Sequence, residues 1–269
     1  MIERFAAMPS ALREAARWVR LGEGEVEGGV PCMVAHPDWT TRGPVMVWMH
    51  GRTVRKEIDP GRYLRWLRAG IGVCAVDLPG HGERYDEGLQ SPTRTLEVVE
   101  RMIREVDVVV RALGVGEYGN VFDGARMGIG GMSAGGMVTL RRLCEPHGFV
   151  CAAVESTAGD FSLMPGYEER HGGEAVARLD PMRHVEGWTP IPLLALHSEK
   201  DEWVPVGAIR GFVERLREEY AARGADGGMV ELVTWPETGA PNEHAGFGRV
   251  SNDAKNVQTA FLSKWLGVG

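Results

Sequence analysis

The sequence predicts an α/β fold, a mostly parallel central sheet with helices on both faces. Short apolar runs dense in Val, Ile and Leu recur along the chain, each too short for a buried helix and each ending in Gly, Ser or a polar cluster. Segments with a helical period separate them. Strands alternating with helices need crossover connections, and these cover both faces of a parallel sheet.

Taken in order, residues 1 to about 36 read as a leading helix followed by the strand-like EVEGGVPCMVAHP, an antiparallel edge hairpin on the sheet. Strands are then expected at PVMVWMHG (44–51), IGVCAVDLPG (71–80), MGIGGMS (127–133), FVCAAVES (149–156), PLLALHS (192–198) and MVELVTW (229–235). Among the helices, Leu96, Val99, Met102, Ile103, Val106, Val110 and Leu113 line one face of the longest. Met137, Leu140 and Leu143 form a second stripe, Ile209, Phe212, Val213, Leu216 and Tyr220 a third. Val257, Phe261 and Trp265 mark a closing helix that stops at Gly267. The segment 157–190 is longer than an ordinary connection between strands and carries MPGYEERHGG, which reads as a small lid-like insertion. With no internal repeat, low-complexity tract or linker, residues 1–269 are expected to form a single domain.

Composition narrows the function. The chain is 43% hydrophobic and 25% charged, as in ordinary globular proteins, and its net charge of −7 argues against nucleic acid as a partner. Lysine occurs only at 56, 200, 255 and 264, and the arginines are scattered among acids without forming a stripe. Cys32, Cys74, Cys144 and Cys151 lack the close paired spacing of a zinc site and read as buried thiols. The N-terminal MIERFAAMPSALREAARW has no apolar core of a signal peptide, and no apolar run approaches the roughly 20 residues that cross a bilayer. The expectation is a cytoplasmic protein with no membrane partner; homo-oligomerisation is left open.

The chemistry centres on GMSAG, residues 131–135. A serine at a strand-turn-helix elbow occupies a strained backbone conformation, and the positions two before and two after it pass so close to the turn that only glycine fits. Gly131 and Gly135 meet that need, and Gly136 lets the next helix approach the sheet. Ser133 is the expected nucleophile. Its base is expected to be His244, in the small-residue loop between the last strand and the last helix. The orienting acid is expected to be Asp201, just after the penultimate strand, with Glu199 and Glu202 as neighbouring rivals and Asp160 as a distant substitute. His50, His81 and His197, at strand ends, are assigned to hydrogen bonding of their loops, and His184 to packing in the insertion.

A tetrahedral intermediate needs at least two N–H donors for its oxyanion. One is expected from Ala134 at the start of the helix, the other from the backbone of Arg52 in the loop after the first parallel strand, with Thr53 as the alternative donor. The Arg52 side chain is expected to point into solvent, the other option being the pocket mouth, where it would favour an acidic substrate. Thr53, Phe161, Met164 and Tyr167 are candidate substrate-binding residues. No metal or organic cofactor is called for.

HGRT (50–53), DLPGHGER (77–84), GMSAGG (131–136), Asp201 before VP and His244 before AGFG together resemble the α/β-hydrolase superfamily. The likeness is strongest to bacterial serine esterases related to dienelactone hydrolase and to the catalytic domain of prolyl oligopeptidases. It runs from about residue 25 to the C-terminus. The resemblance implies an α/β-hydrolase fold and a serine hydrolase of small to medium carboxylic esters. A serine nucleophile in place of the cysteine of dienelactone hydrolases speaks against that specific activity, and no propeller domain accompanies the chain, which lowers the peptidase reading. His197-Ser198 stands where a His-Gly pair is usual. The alternatives are a peptidase or amidase of the prolyl oligopeptidase type, and a non-catalytic ligand-binding protein on the same fold.

Overall fold

A computed structural model describes residues 8–269. A short helix α1 (Ser10–Ala15) precedes strands β1 (Ala16–Leu21), β2 (Val30–Ala35) and β3 (Gly43–Met49). Helix α2 (Pro60–Arg68) leads to β4 (Gly72–Val76), then helices α3 (Thr95–Leu113) and α4 (Gly116–Val121) to β5 (Phe122–Met132). Helix α5 (Ala134–Arg142) leads to β6 (Cys151–Glu155), and the short helices α6 (Tyr167–His171) and α7 (Gly173–Leu179) follow before β7 (Leu193–Ser198). Helix α8 (Val206–Ala222), β8 (Val230–Trp235) and α9 (Ser251–Leu266) complete the chain.

Among the described residues, eight strands join one sheet in the order β1-β2-β4-β3-β5-β6-β7-β8. The first two are antiparallel additions at one edge, and the other six run parallel. Alternation along each strand sorts side chains between two cores. Val45, Val47 and Met49 of β3 pack with α3, α5 and α8, whereas Met46 and Trp48 face α1, α2 and α9. The fold is the α/β-hydrolase arrangement expected from the sequence. Because the parallel strands all point one way, their C-terminal ends share a rim, and the loops leaving that rim carry Gly51, Ser133, Ser156 and Asp201.

Two elements differ from the sequence expectation. The edge hairpin exists, but its first strand is Ala16–Leu21, a stretch that reads as the end of the leading helix, and only β2 lies within EVEGGVPCMVAHP. Residues 1–7 of that helix lie outside the described residues. β2 is buried along its whole length, and pairing with β1 satisfies the backbone groups of its outer edge. Helix α2, which the apolar pattern does not reveal, starts at an Asp59 cap followed by Pro60 and buries Tyr63, Trp66 and Leu67. Arg62, Arg65 and Arg68 dilute its stripe. One of them, Arg62, is itself buried.

Candidate active site

Ser133 stands between β5 and α5 with φ 52° and ψ −117°, a left-handed conformation that costs a non-glycine residue about 1–3 kcal/mol. The surrounding small residues make it sterically feasible. A Cβ on Gly131 would fall 2.5 Å from the Gly135 carbonyl carbon, and one on Gly135 would fall 2.3 Å from the Met49 carbonyl oxygen. Gly136 similarly abuts Thr157, whose hydroxyl donates to the Ser133 carbonyl at 2.8 Å. The Ser133 N–H donates to the Glu155 carbonyl at 2.9 Å, tying the elbow to the end of β6. The nucleophile candidate is thus pinned on both sides of its Cα.

His244 is brought to this point by the loop after β8. Its Nε2 lies 3.0 Å from Ser133 Oγ, and its Nδ1 lies 2.8 and 3.1 Å from the two carboxylate oxygens of Asp201. His244 and Asp201 are buried, while Ser133 is partly open to solvent. Asp201 Oδ1 also accepts from the N–H groups of Trp203 and Val204, at 2.9 and 2.8 Å, which fixes the carboxylate in a tight turn. The rival acids are engaged elsewhere. Glu199 accepts from Thr234, Glu202 from the Asn242 amide, and Asp160 caps the turn at Ser162.

The loop from β3 passes directly beside the elbow, since a Cβ on Gly51 would lie 3.3 Å from Ser133 Cβ. Ala134 is the first residue of α5, and Thr53 adopts a positive φ of 61°. Among the described residues, neither the Arg52 nor the Ala134 N–H is engaged in a turn, loop or side-chain hydrogen bond. The remaining strand-end histidines serve their loops. His50 accepts from the Leu78 N–H at 3.1 Å, His81 donates to the Pro79 carbonyl at 2.9 Å, and His197 donates to the Val204 carbonyl at 2.9 Å. Burial pushes His81 down to about 4 and lowers His197 as well, so both rings are neutral supports at physiological pH. His184, in the insertion, donates to the Ala177 carbonyl.

Ser133 and His244 open on a cavity of about 1170 Å³. Arg52, Thr53, Met164 and Tyr167 line it. Phe161 does not. It is buried behind Tyr167, with ring centroids 5.1 Å apart, and shapes the wall only through that ring. The Arg52 side chain also departs from the solvent-facing expectation. It is half-buried along the cavity wall, where its Nη2 donates to the Gln90 carbonyl.

Three supports escaped the sequence reading. Glu243, next to His244, accepts from the Ser198 hydroxyl at 2.6 Å, from the Thr238 N–H and hydroxyl at 2.6 and 2.7 Å, and from the Gly239 N–H at 2.6 Å. The Ser198 hydroxyl, foremost among these donors, holds the carboxyl down at about 2. Ser198, in place of the usual glycine, was the visible signal. Trp203, with 58% of its surface exposed, sets its ring 4.8 Å from that of His244. Beneath the cavity, buried Arg62 grips Glu155 through two bonds of 2.5 and 2.7 Å, lies 4.5 Å from the Trp48 ring and reaches Gln258. Among the described residues no group of three or more His, Cys, Asp or Glu side chains is disposed to hold a metal ion, and no helix is long and apolar enough to cross a membrane.

With a serine, an imidazole and a carboxylate in contact on the rim of an α/β sheet, comparison with known proteins becomes informative. Residues 63–269 match the prolyl oligopeptidase family. The chain belongs to that family. This prolyl oligopeptidase family member is a serine hydrolase, and solved structures of both esterases and peptidases share its fold. It is 26% identical to YitV of Bacillus subtilis strain 168, which carries a provisional esterase name, over 74% of this chain and 85% of that one. The structure of the esterase Pf2001 of Pyrococcus furiosus superposes with a TM-score of 0.67 at 16% identity, covering 99% of this chain and 96% of that one. A puromycin-hydrolysing peptidase of Mycobacterium tuberculosis superposes with a TM-score of 0.71 at 21% identity, covering 94% of this chain but 40% of the peptidase.

Proposed function

We propose that this family member is a carboxylesterase acting on small to medium esters through an acyl-enzyme, with Ser133, His244 and Asp201 as its catalytic triad. The observation that carries the reading is the continuous relay from Ser133 Oγ through both ring nitrogens of His244 to Asp201. A serine hydroxyl is a weak nucleophile until a base removes its proton, and His244 Nε2 is in hydrogen-bond reach. Asp201 accepts a hydrogen bond from His244 Nδ1–H, which fixes that tautomer, and stabilises the imidazolium formed when Ser133 attacks the carbonyl. The N–H groups of Ala134 and Arg52 receive the oxyanion. His244 then protonates the leaving alcohol, and water activated by the same ring releases the acid. Each half-reaction uses the same donors, so the site needs no rearrangement between them.

The ester preference is supported by the relatives of similar length, YitV and Pf2001, both carrying esterase names. The family match itself favours a second reading, cleavage of peptides or amides by the same machinery. Residues 1–269 are taken as one domain in which segment 157–190 walls the pocket through Met164 and Tyr167. Its four unpaired, buried cysteines suit the cytoplasm. The test is steady turnover of a short-chain 4-nitrophenyl ester beside an aminoacyl 4-nitroanilide. Ester turnover that exceeds amide turnover and disappears in Ser133→Ala supports the esterase. Faster amide turnover selects the peptidase, and no turnover of either overturns both.

A further inference from the structure

One wall of the cavity, between the β3 loop and α6, is cationic and holds no acid. Arg52 donates through Nη2 to the Gln90 carbonyl, but its Nε is buried with no partner. Arg170 on α6 lines the same wall, and among the described residues neither guanidinium has an ion-pair partner. His171, beside it, donates through Nδ1 to the Thr93 carbonyl and leaves Nε2 buried without a partner. Both guanidiniums are near enough to Tyr167 and His171 to act on their charge states. The acids that line the cavity lie elsewhere and are occupied: Glu155 by Arg62, Asp59 by Arg62 and Lys255, Glu202 by the Asn242 amide.

An acid-free cationic wall stands out in a chain of net charge −7 in which the buried or half-buried Arg62, Arg84 and Arg142 are each paired with a carboxylate. Arg52, half-buried without a counter-ion, carries a desolvation cost that a ligand anion would offset, and the exposed Arg170 adds a second unpaired charge on the same wall. The planar N–H edge of arginine suits a carboxylate.

We infer that the substrate carries a carboxylate, seated between Arg52 and Arg170, several bonds from the ester carbonyl held at Ser133. This rests on the esterase reading above. The substrate class is then the half-esters of dicarboxylic acids or the acyl esters of hydroxy acids. The reaction remains hydrolysis: the acyl C–O bond breaks, water supplies hydroxyl to the acyl carbon and a proton to the alkoxide, and the remote carboxylate is unchanged.

Two isosteric pairs test it, monomethyl adipate against methyl hexanoate and 4-acetoxybutanoate against butyl acetate. In at least one pair the charged member should have a kcat/KM about ten-fold higher, and Arg170→Gln should erase that ratio while Arg170→Lys restores part of it. Raised salt should shrink the ratio too. Binding of monomethyl adipate to Ser133→Ala, measured by calorimetry, should weaken about ten-fold in the double variant with Arg170→Gln. Neutral esters hydrolysed as well as charged ones, or a ratio untouched by Arg170→Gln, overturns the carboxylate site and leaves the esterase standing. Arg170-dependent binding without turnover of any ester supports the anion site and overturns the esterase reading instead.

Discussion

Ser133 shows how much a single position demands of its neighbours. Its strained backbone persists because Gly131 and Gly135 leave room for the turn and because its N–H and carbonyl are both bonded. This was legible in the sequence: no other residue type fits where a Cβ would meet the β3 backbone at 2.3 Å. Gly135→Ala is expected to destabilise the protein by about 1–3 kcal/mol, since the clashing atoms are backbone and cannot rotate away. A fall in thermal midpoint checks it, and an unchanged midpoint would mean the elbow is less tightly packed than described. The half-buried Arg52 side chain was not legible. Solvent is the default place for an arginine, and only the Gln90 carbonyl and the cavity wall, brought near by folding, draw it inward.

At the scale of the element, the loop from Thr238 to His244 decides whether the imidazole meets the serine. Asn242 and Glu243 both have positive φ, 53° and 51°, and the Glu243 carboxylate holds that conformation by gathering four donors. Glu243→Gln should lower kcat about ten-fold with little change in KM, because it loosens His244, the proposed base, and leaves the pocket wall alone. An equal loss in both parameters would contradict a positioning role. The same residue predicts a pH effect on stability. Its folded carboxyl, at about 2, lies below the ordinary 4.5. Its contribution is therefore complete above pH 4.5 and fades as pH falls from 4.5 toward 2. The stability gap between wild type and Glu243→Gln should be constant above pH 4.5 and narrow below it, as followed by denaturant unfolding. The strands were readable as elements because each parallel strand is a short apolar run. Helix α2 and strand β1 were not, since arginines interrupt the stripe of one and the pattern of the other serves a helix equally well.

For the whole molecule, a buried charge cluster at the rim ties the sheet to the two helices packed on one of its faces. Arg62 from α2, Glu155 from β6 and Gln258 from α9 meet beneath the cavity, three elements far apart in the chain. No local pattern announces such a contact, which is why Arg62 and Glu155 escaped sequence reasoning. Arg62→Met, which strands a buried carboxylate, should cost about 3–5 kcal/mol, and adding Glu155→Leu should recover much of it. Additive losses in the double variant would show that the pair is not coupled. The order of Ser133, Asp201 and His244 along the chain was legible, and their meeting point follows from parallel strands ending on a common rim.

The most direct measurement is labelling by a fluorophosphonate followed by peptide mapping. The label is expected on Ser133 alone, absent from Ser133→Ala and slowed by orders of magnitude in His244→Ala. Label on another residue, or ester turnover surviving in an unlabelled Ser133→Ala protein, would contradict it.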